Sequence, residues 1–181
     1  MPLFLMLLLI GAVLLVVMYN TIIRKRNLVK EAWSGIDVQL KRRYDLLPNL
    51  VQTVKGYAKH EKDLFERVTK ARTAAIEAKD VRGQAEAENS LTMAIKSLFA
   101  VAENYPELKA SQNFMDLQKN LAQIEEEIQM ARRYYNGTAR EFNTAIQTFP
   151  GLVYAYFFNF KEVEYFEIET SAEKKTPEVQ F

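Results

Sequence analysis

The sequence predicts an all-α protein: an N-terminal transmembrane helix followed by an antiparallel up-and-down four-helix bundle with a long first helix kinked at Pro48. Three observations predict it. The chain opens on an uncharged apolar run, apolar residues then recur at helical spacing as far as Phe149, and strand signals are weak throughout. The expected organisation is an anchor over 1–23, a helical bundle over 24–149, an aromatic segment over 150–168 packed on that bundle, and a flexible tail over 169–181.

The anchor is the clearest element. Leu3 to Ile23 reads LFLMLLLIGAVLLVVMYNTII without a charge. At about 1.5 Å per residue, its roughly 21 residues span about 31 Å, the thickness of a bilayer's hydrocarbon core. A cleaved secretory signal would carry a charged leading region and a small-residue cleavage site, but only Met1 and Pro2 precede Leu3, and Met18, Tyr19 and Asn20 follow Val17. The segment is therefore expected to stay in the bilayer. Arg24, Lys25, Arg26 and Lys30 follow it at once, which by the positive-inside rule places the short N-terminus outside and the C-terminal domain in the cytoplasm. Tyr19 stands where an interfacial aromatic belongs.

The first bundle helix continues from the anchor, because no Pro or Gly cluster separates Ile23 from Leu28. Its stripe is Val29, Trp33, Ile36, Leu40, Tyr44, Leu47, Val51, Val54 and Ala58, and the phase does not reset at Pro48. Two independent helices would have no reason to share one stripe. One helix bent at Pro48 is expected, with the carbonyl of Tyr44 deprived of its helical N–H donor. Apolar spacing lapses over Lys59 to Lys62 and resumes with Leu64, Phe65, Val68, Ala71, Ala75 and Ala78. Asp80 to Gly83 reads as a connection. A third helix carries Ala87, Leu91, Ala94, Leu98, Val101 and Tyr105 in register and ends near Pro106. The fourth runs from about Glu107 to Phe149, with Leu117, Leu121, Ile124, Ile128, Ala131, Tyr135, Thr138, Phe142, Ala145 and Phe149 inward, and Pro150-Gly151 stops it. Long helices joined by short links pack antiparallel.

Several function classes are excluded by chemistry. The 24 basic and 23 acidic residues nearly cancel, so no broad positive face exists for phosphate, and no nucleic-acid partner is expected. His60-Glu61 begins like a zinc-protease motif, yet His60 is the chain's single histidine, so no metal site is expected. There is no cysteine, no serine with a partner base and no phosphate-cradling glycine loop; no catalytic residue, cofactor or small-molecule substrate is identified. Glu125, Glu126 and Glu127 flank Ile124 and Ile128, which define the inward stripe, so the carboxylates read as a solvated face.

Two clusters are candidates for binding a partner. Arg42, Arg43, Asp45, Pro48 and Asn49 surround the bend, where a polar group must satisfy the freed carbonyl. They read either as a docking notch for a partner peptide or, preferred, as a satisfied bend. The second cluster is the most aromatic stretch of the chain, including Tyr154, Tyr156, Phe157, Phe158 and Phe160. Core closure is the preferred reading, a protein interface the second, and insertion at the membrane surface the third, since Glu162, Glu164, Glu167 and Glu169 oppose anionic headgroups.

LPNLVQTVKGYAKHE from Leu47, ENYPELKASQNFMDLQ from Glu103, ARRYYN from Ala131 and EFNTAIQTFP ending at Pro150 closely resemble motifs of the LemA family of bacterial membrane proteins. The resemblance covers about residues 1 to 168. It implies an N-terminal transmembrane helix with a small external terminus and a helical-bundle domain. With no catalytic constellation and an anchor joined to a bundle, the expectation is a non-enzymatic scaffold or adaptor, held in the lipid bilayer through residues 3–23, that binds a protein partner or self-associates. The alternative is a protein that organises or remodels the bilayer itself, which the resemblance permits because related proteins occur in bacterial organelle formation.

Overall fold

In the computed structural model, which describes residues 1–167, the chain is all-helical, and the described residues contain no strand. Six helices run in order among them: α1 (Pro2–Tyr57), α2 (Lys62–Glu77), α3 (Val81–Ala102), α4 (Pro106–Lys109), α5 (Gln112–Gln147) and α6 (Gly151–Phe158). The expected tail over 169–181 lies outside the described residues.

Anchor and first domain helix are one element, as the unbroken stripe predicts: α1 passes through Pro48 and ends at Tyr57. Its N-terminal part is long and apolar enough to cross a membrane. Leu3 to Ile10 and Val13 to Val17 expose their side chains, a continuous apolar surface along that part of the helix. Burial begins near the end of the run, at Ile22, and continues through Val29, Ala32, Ile36, Leu40, Tyr44, Leu47, Leu50, Val54 and Ala58. Fully burying a side chain such as Ile36 or Leu50 stabilises the fold by about 1.5–3 kcal/mol. Trp33 and Val51, expected on this stripe, sit half-buried at its edges.

The described residues form two units, Met1–Leu40 with Glu126–Tyr165, and Lys41–Glu125 with residues 166–167. In the second unit α2 buries Leu64, Phe65, Val68 and Ala75, close to the expected stripe. Asp80 caps α3 by accepting the Gly83 N–H on Oδ1 at 2.7 Å, so the expected connection ends earlier and Val81 to Gly83 are already helical. Such a cap is worth about 1 kcal/mol.

Two expectations about helices need correction. The inward face of α3 is Gln84, Ala85, Glu88, Leu91, Ile95, Leu98 and Ala102, one residue out of phase with the expected Ala87, Ala94 and Val101. The alanine pattern is misleading because a glutamate, Glu88, occupies the core. The expected helix from Glu107 is broken into α4 and α5. Leu108 and Phe114 are both buried; six residues apart on one straight helix they would point about 120° from each other. A break at Ala110–Ser111 resets the phase, and the Ser111 carbonyl then accepts from Met115 at 3.1 Å to start α5. Phe99 of α3 meets Phe114 with ring centroids 5.9 Å apart.

In the first unit α5 pairs with the early part of α1. Lys25 Nζ donates to Glu141 at 2.9 Å, and Trp33 packs edge-on against Tyr135 with centroids 5.3 Å apart. Beyond Pro150 the chain forms a further helix, α6, that the sequence reading does not contain. After it, residues 160–167 run without regular structure.

Candidate functional site: a buried polar clamp, an open groove and an aromatic cap

The chemistry around Pro48 starts from a missing donor. Proline brings no N–H to its helical turn, which leaves the carbonyl of Tyr44 without its usual partner. Arg72 on α2 supplies one: its Nε donates to the Tyr44 oxygen at 2.8 Å. The expected need for a polar partner is thus met by a residue that no local pattern around the proline reveals.

Tyr44 also carries the next link inward. Its hydroxyl donates to Glu88 Oε1 in a short hydrogen bond. Gln84 Nε2 donates to the same hydroxyl at 2.9 Å, and lies 3.1 Å from the Ala75 carbonyl and 3.2 Å from Glu88 Oε1. Arg43 Nη1 donates to Glu88 Oε2 at 2.7 Å, while its Nη2 donates to Thr92 Oγ1 at 2.9 Å and pairs with Glu125 at 2.8 Å. The guanidinium fork therefore bridges a carboxylate on α3 and one on α5, a geometry that lysine's single ammonium cannot copy.

Burial explains why each bond is needed. Arg43 is 1% exposed and Glu88 0%. An isolated charge at such depth would be prohibitive, so both must be paired; the two terminal nitrogens of Arg43 carry that pairing, while its buried Nε has no hydrogen-bond partner. Burial first, and then the hydrogen bond and charge of Glu88, push the Tyr44 phenol above its ordinary value of 10.0. At neutral pH it is a neutral donor. With both Glu88 oxygens occupied and Tyr44 protonated, the cluster acts as a clamp on α1, α2, α3 and α5; moving a proton would mean breaking a satisfied bond.

The five candidate residues around Pro48 divide between two environments. Arg43 enters the clamp. Arg42, Asp45 and Asn49 turn outward and, with Leu46, Asn120, Gln123 and Ile124, line an open groove of about 450 Å³. Asp45 accepts from Lys41 Nζ at 3.0 Å on the exposed helix face. Pro48 itself is exposed. Leu46 and Ile124 give the groove its apolar lining, and Arg42, Asp45, Asn49, Asn120 and Gln123 give it charged and amide groups. Glu88, Gln84, Thr92 and Arg72 are absent from the candidates drawn from sequence. The only signal for them is indirect: a glutamate in the middle of an otherwise apolar helix face.

The aromatic cluster belongs to the other unit. Gly151 allows α6 to begin hard against α5, since a Cβ there would collide with the Ala145 carbonyl oxygen. Tyr154 is buried and stacks with Phe158 at 6.3 Å and 18°. Phe158 and Phe160 then flank Tyr19 of α1, at 4.8 Å and 6.2 Å, and Phe160 meets Phe142 edge-on at 6.5 Å. Asn143 holds the chain beyond by two bonds, donating to the Val163 carbonyl at 2.9 Å and accepting its N–H at 2.9 Å. Tyr135 donates to the Glu164 carbonyl at 2.8 Å; burial above all, and then the Glu164 charge, raise its phenol pKa. Tyr156 and Phe157, by contrast, point outward, 85% and 75% exposed. The structure thus joins Tyr154, Phe158 and Phe160 with Tyr19 and leaves Tyr156 and Phe157 outside that contact.

No group of three His, Asp or Glu side chains among the described residues is placed to hold a metal ion. Comparison with known proteins adds a lineage. The model of the LemA family matches residues 32–181. Two proteins named magnetosome protein MamQ, from Paramagnetospirillum magneticum, are 25% identical over 179 residues, covering 84% of this chain and 66% of their own length. A protein named LemA from Metamycoplasma hominis is 27% identical over 161 residues, covering 84% of this chain and 74% of its own. The chain therefore spans just under two thirds of the length of the magnetosome proteins it resembles.

Proposed function

This chain belongs to the LemA family of membrane-associated helical proteins, and from that premise we propose that it is a non-enzymatic, single-pass scaffold that presents a peptide-binding groove beside the bilayer. The observation that carries this reading is the continuity of α1. One helix, Pro2–Tyr57, contains both the apolar run and the residues Arg42, Asp45 and Asn49 that line the groove. The four long helices in an antiparallel up-and-down bundle would give that surface a rigid backing, and the clamp around Glu88 would fix the register of the helices that form it.

The basic residues Arg24, Lys25 and Arg26 support an N-terminus outside and a cytoplasmic domain. The occupant is a protein segment, from a partner or a second copy. Crosslinking in intact membranes followed by mass spectrometry tests this: recovery of one fixed partner, or of regular homo-oligomers, joined through residues 42–49 supports the scaffold. Crosslinks scattered over many unrelated membrane proteins would count against it.

A specific observation also favours a role on the bilayer itself. The exposed aromatic side chains of α6 lie in the unit that contains the apolar run, and relatives are named as magnetosome proteins. Membrane organisation is the second reading.

A further inference from the structure

We propose that α6 is a second membrane element, lying in the headgroup region of the same leaflet in which the α1 span ends. The inference rests on the reading of Leu3–Ile23 as a bilayer span and adds a separate contact to it.

Depth is set by two independent contacts. Lys25, just past the apolar run, pairs with Glu141 on α5 at 2.9 Å. Tyr19, inside the run and about 6 Å from its end by helical rise, packs on Phe158 and Phe160. Lys25 and Glu141 thus mark one level and Tyr19 with α6 mark a deeper one. The sequence changes character at the same place on both strands of the chain. Between Glu141 and Lys161 there is no charged residue, and the stretch reads FNTAIQTFPGLVYAYFFNF. The charges Arg24, Lys25 and Arg26 on one segment, and Glu141 and Lys161 on the other, fall at its borders.

Exposure completes the case. Phe149, Leu152, Tyr156, Phe157 and Phe158 all present more than half of their surface, an apolar patch that water would not leave bare. Tyr and Phe beside a span's end are the residue types that settle at headgroup level, with rings in the acyl boundary and hydroxyls toward water. The carboxylates that would oppose lipid do not interfere. Val163 and Glu164 are tied to Asn143 and Tyr135, so the chain carrying Glu162 and Glu164 runs back along α5, away from α6. Gly151 supplies the close approach to Ala145 that starts α6 at this level.

The absence of cysteine makes the test direct. Full-length Phe157→Cys, Val13→Cys and Met93→Cys variants are labelled with an environment-sensitive fluorophore and reconstituted in phosphatidylcholine–phosphatidylglycerol vesicles. Quenching is then measured with lipids carrying a nitroxide high on the acyl chain. All three positions are exposed, and retained helical circular dichroism confirms folding of each. Severalfold stronger quenching at 157 than at 93, together with quenching at 13, is expected. Quenching at 13 but not at 157 overturns the proposal while the anchor stands. Quenching at neither overturns both, and equal quenching at 157 and 93 overturns a specific seat for α6.

Discussion

Arg72 donates to the main-chain carbonyl of Tyr44 at 2.8 Å, taking the place of the N–H that Pro48 lacks. A side chain from α2 thereby completes a turn of α1, and the proline becomes a point of attachment between helices. Removing Arg72 leaves a half-buried carbonyl without a donor, which costs about 1–3 kcal/mol. Pro48→Ala restores the helical N–H. In that background Arg72→Ala is expected to cost much less, because the carbonyl no longer depends on it. Denaturant titration of the four proteins of this double-mutant cycle in detergent checks the coupling; equal losses in both backgrounds would refute it.

The Arg43–Glu88 pair gives a second prediction. Arg43→Ala strands a fully buried carboxylate and is expected to cost about 3–5 kcal/mol, whereas Arg43→Met with Glu88→Leu removes both charges and is expected to cost less, about 1–3 kcal/mol, because the Tyr44 hydroxyl loses its carboxylate acceptor. Thermal unfolding of both variants distinguishes them. A double variant as unstable as the single one would mean that the pair does more than neutralise itself.

Alkaline pH reads the state of Tyr44. Its pKa is raised above 10.0 in the folded chain, so the unfolded state loses the proton first as pH rises. The unfolded state then binds fewer protons and stability falls with increasing pH. The contribution of Tyr44 is fully present below pH 10 and declines above it. Tyr44→Phe is expected to start less stable and to show a shallower loss above pH 10, measured by unfolding at a series of pH values. An unchanged slope would contradict a protonated, buried Tyr44.

Gly151 fixes α6 against α5. Gly151→Ala places a methyl group onto the Ala145 carbonyl oxygen, and α6 is expected to shift away from Tyr19. In a Tyr19→Cys, Phe158→Cys background a short thiol crosslinker should join the two positions readily, and the added Gly151→Ala should lower the yield. An unaltered yield would show that the contact tolerates a side chain there.

Much of this architecture is legible in the chain. The stripe from Val29 to Ala58 carries through Pro48, and the structure continues the helix as that stripe requires. What the pattern misreads has a common cause. Periodicity assumes that inward residues are apolar, so α3 is set one residue out of phase by Glu88, whose burial depends on Arg43 some forty-five positions earlier. The break between α4 and α5 is hidden for a related reason, since Leu108 and Phe114 each look helical alone and conflict only when both must be buried. The α6 helix is uniformly apolar and offers no amphipathic signal to read. Among the candidate site residues, sequence finds the surface of the groove through Arg42, Asp45 and Asn49, but Arg43 belongs to the interior. Arg72, the residue that resolves the proline, is visible only once α2 is folded against α1.

Photocrosslinking from the groove tests the scaffold reading most directly. A photoreactive amino acid replacing Asn49, exposed on the groove wall, is irradiated in intact membranes, with Met93 substituted in the same way as the comparison site. One discrete adduct is expected from position 49, to a single partner protein or to a second copy of the chain, and none of that mass from position 93. The same set of adducts from both positions, or no protein adduct from position 49, would contradict it.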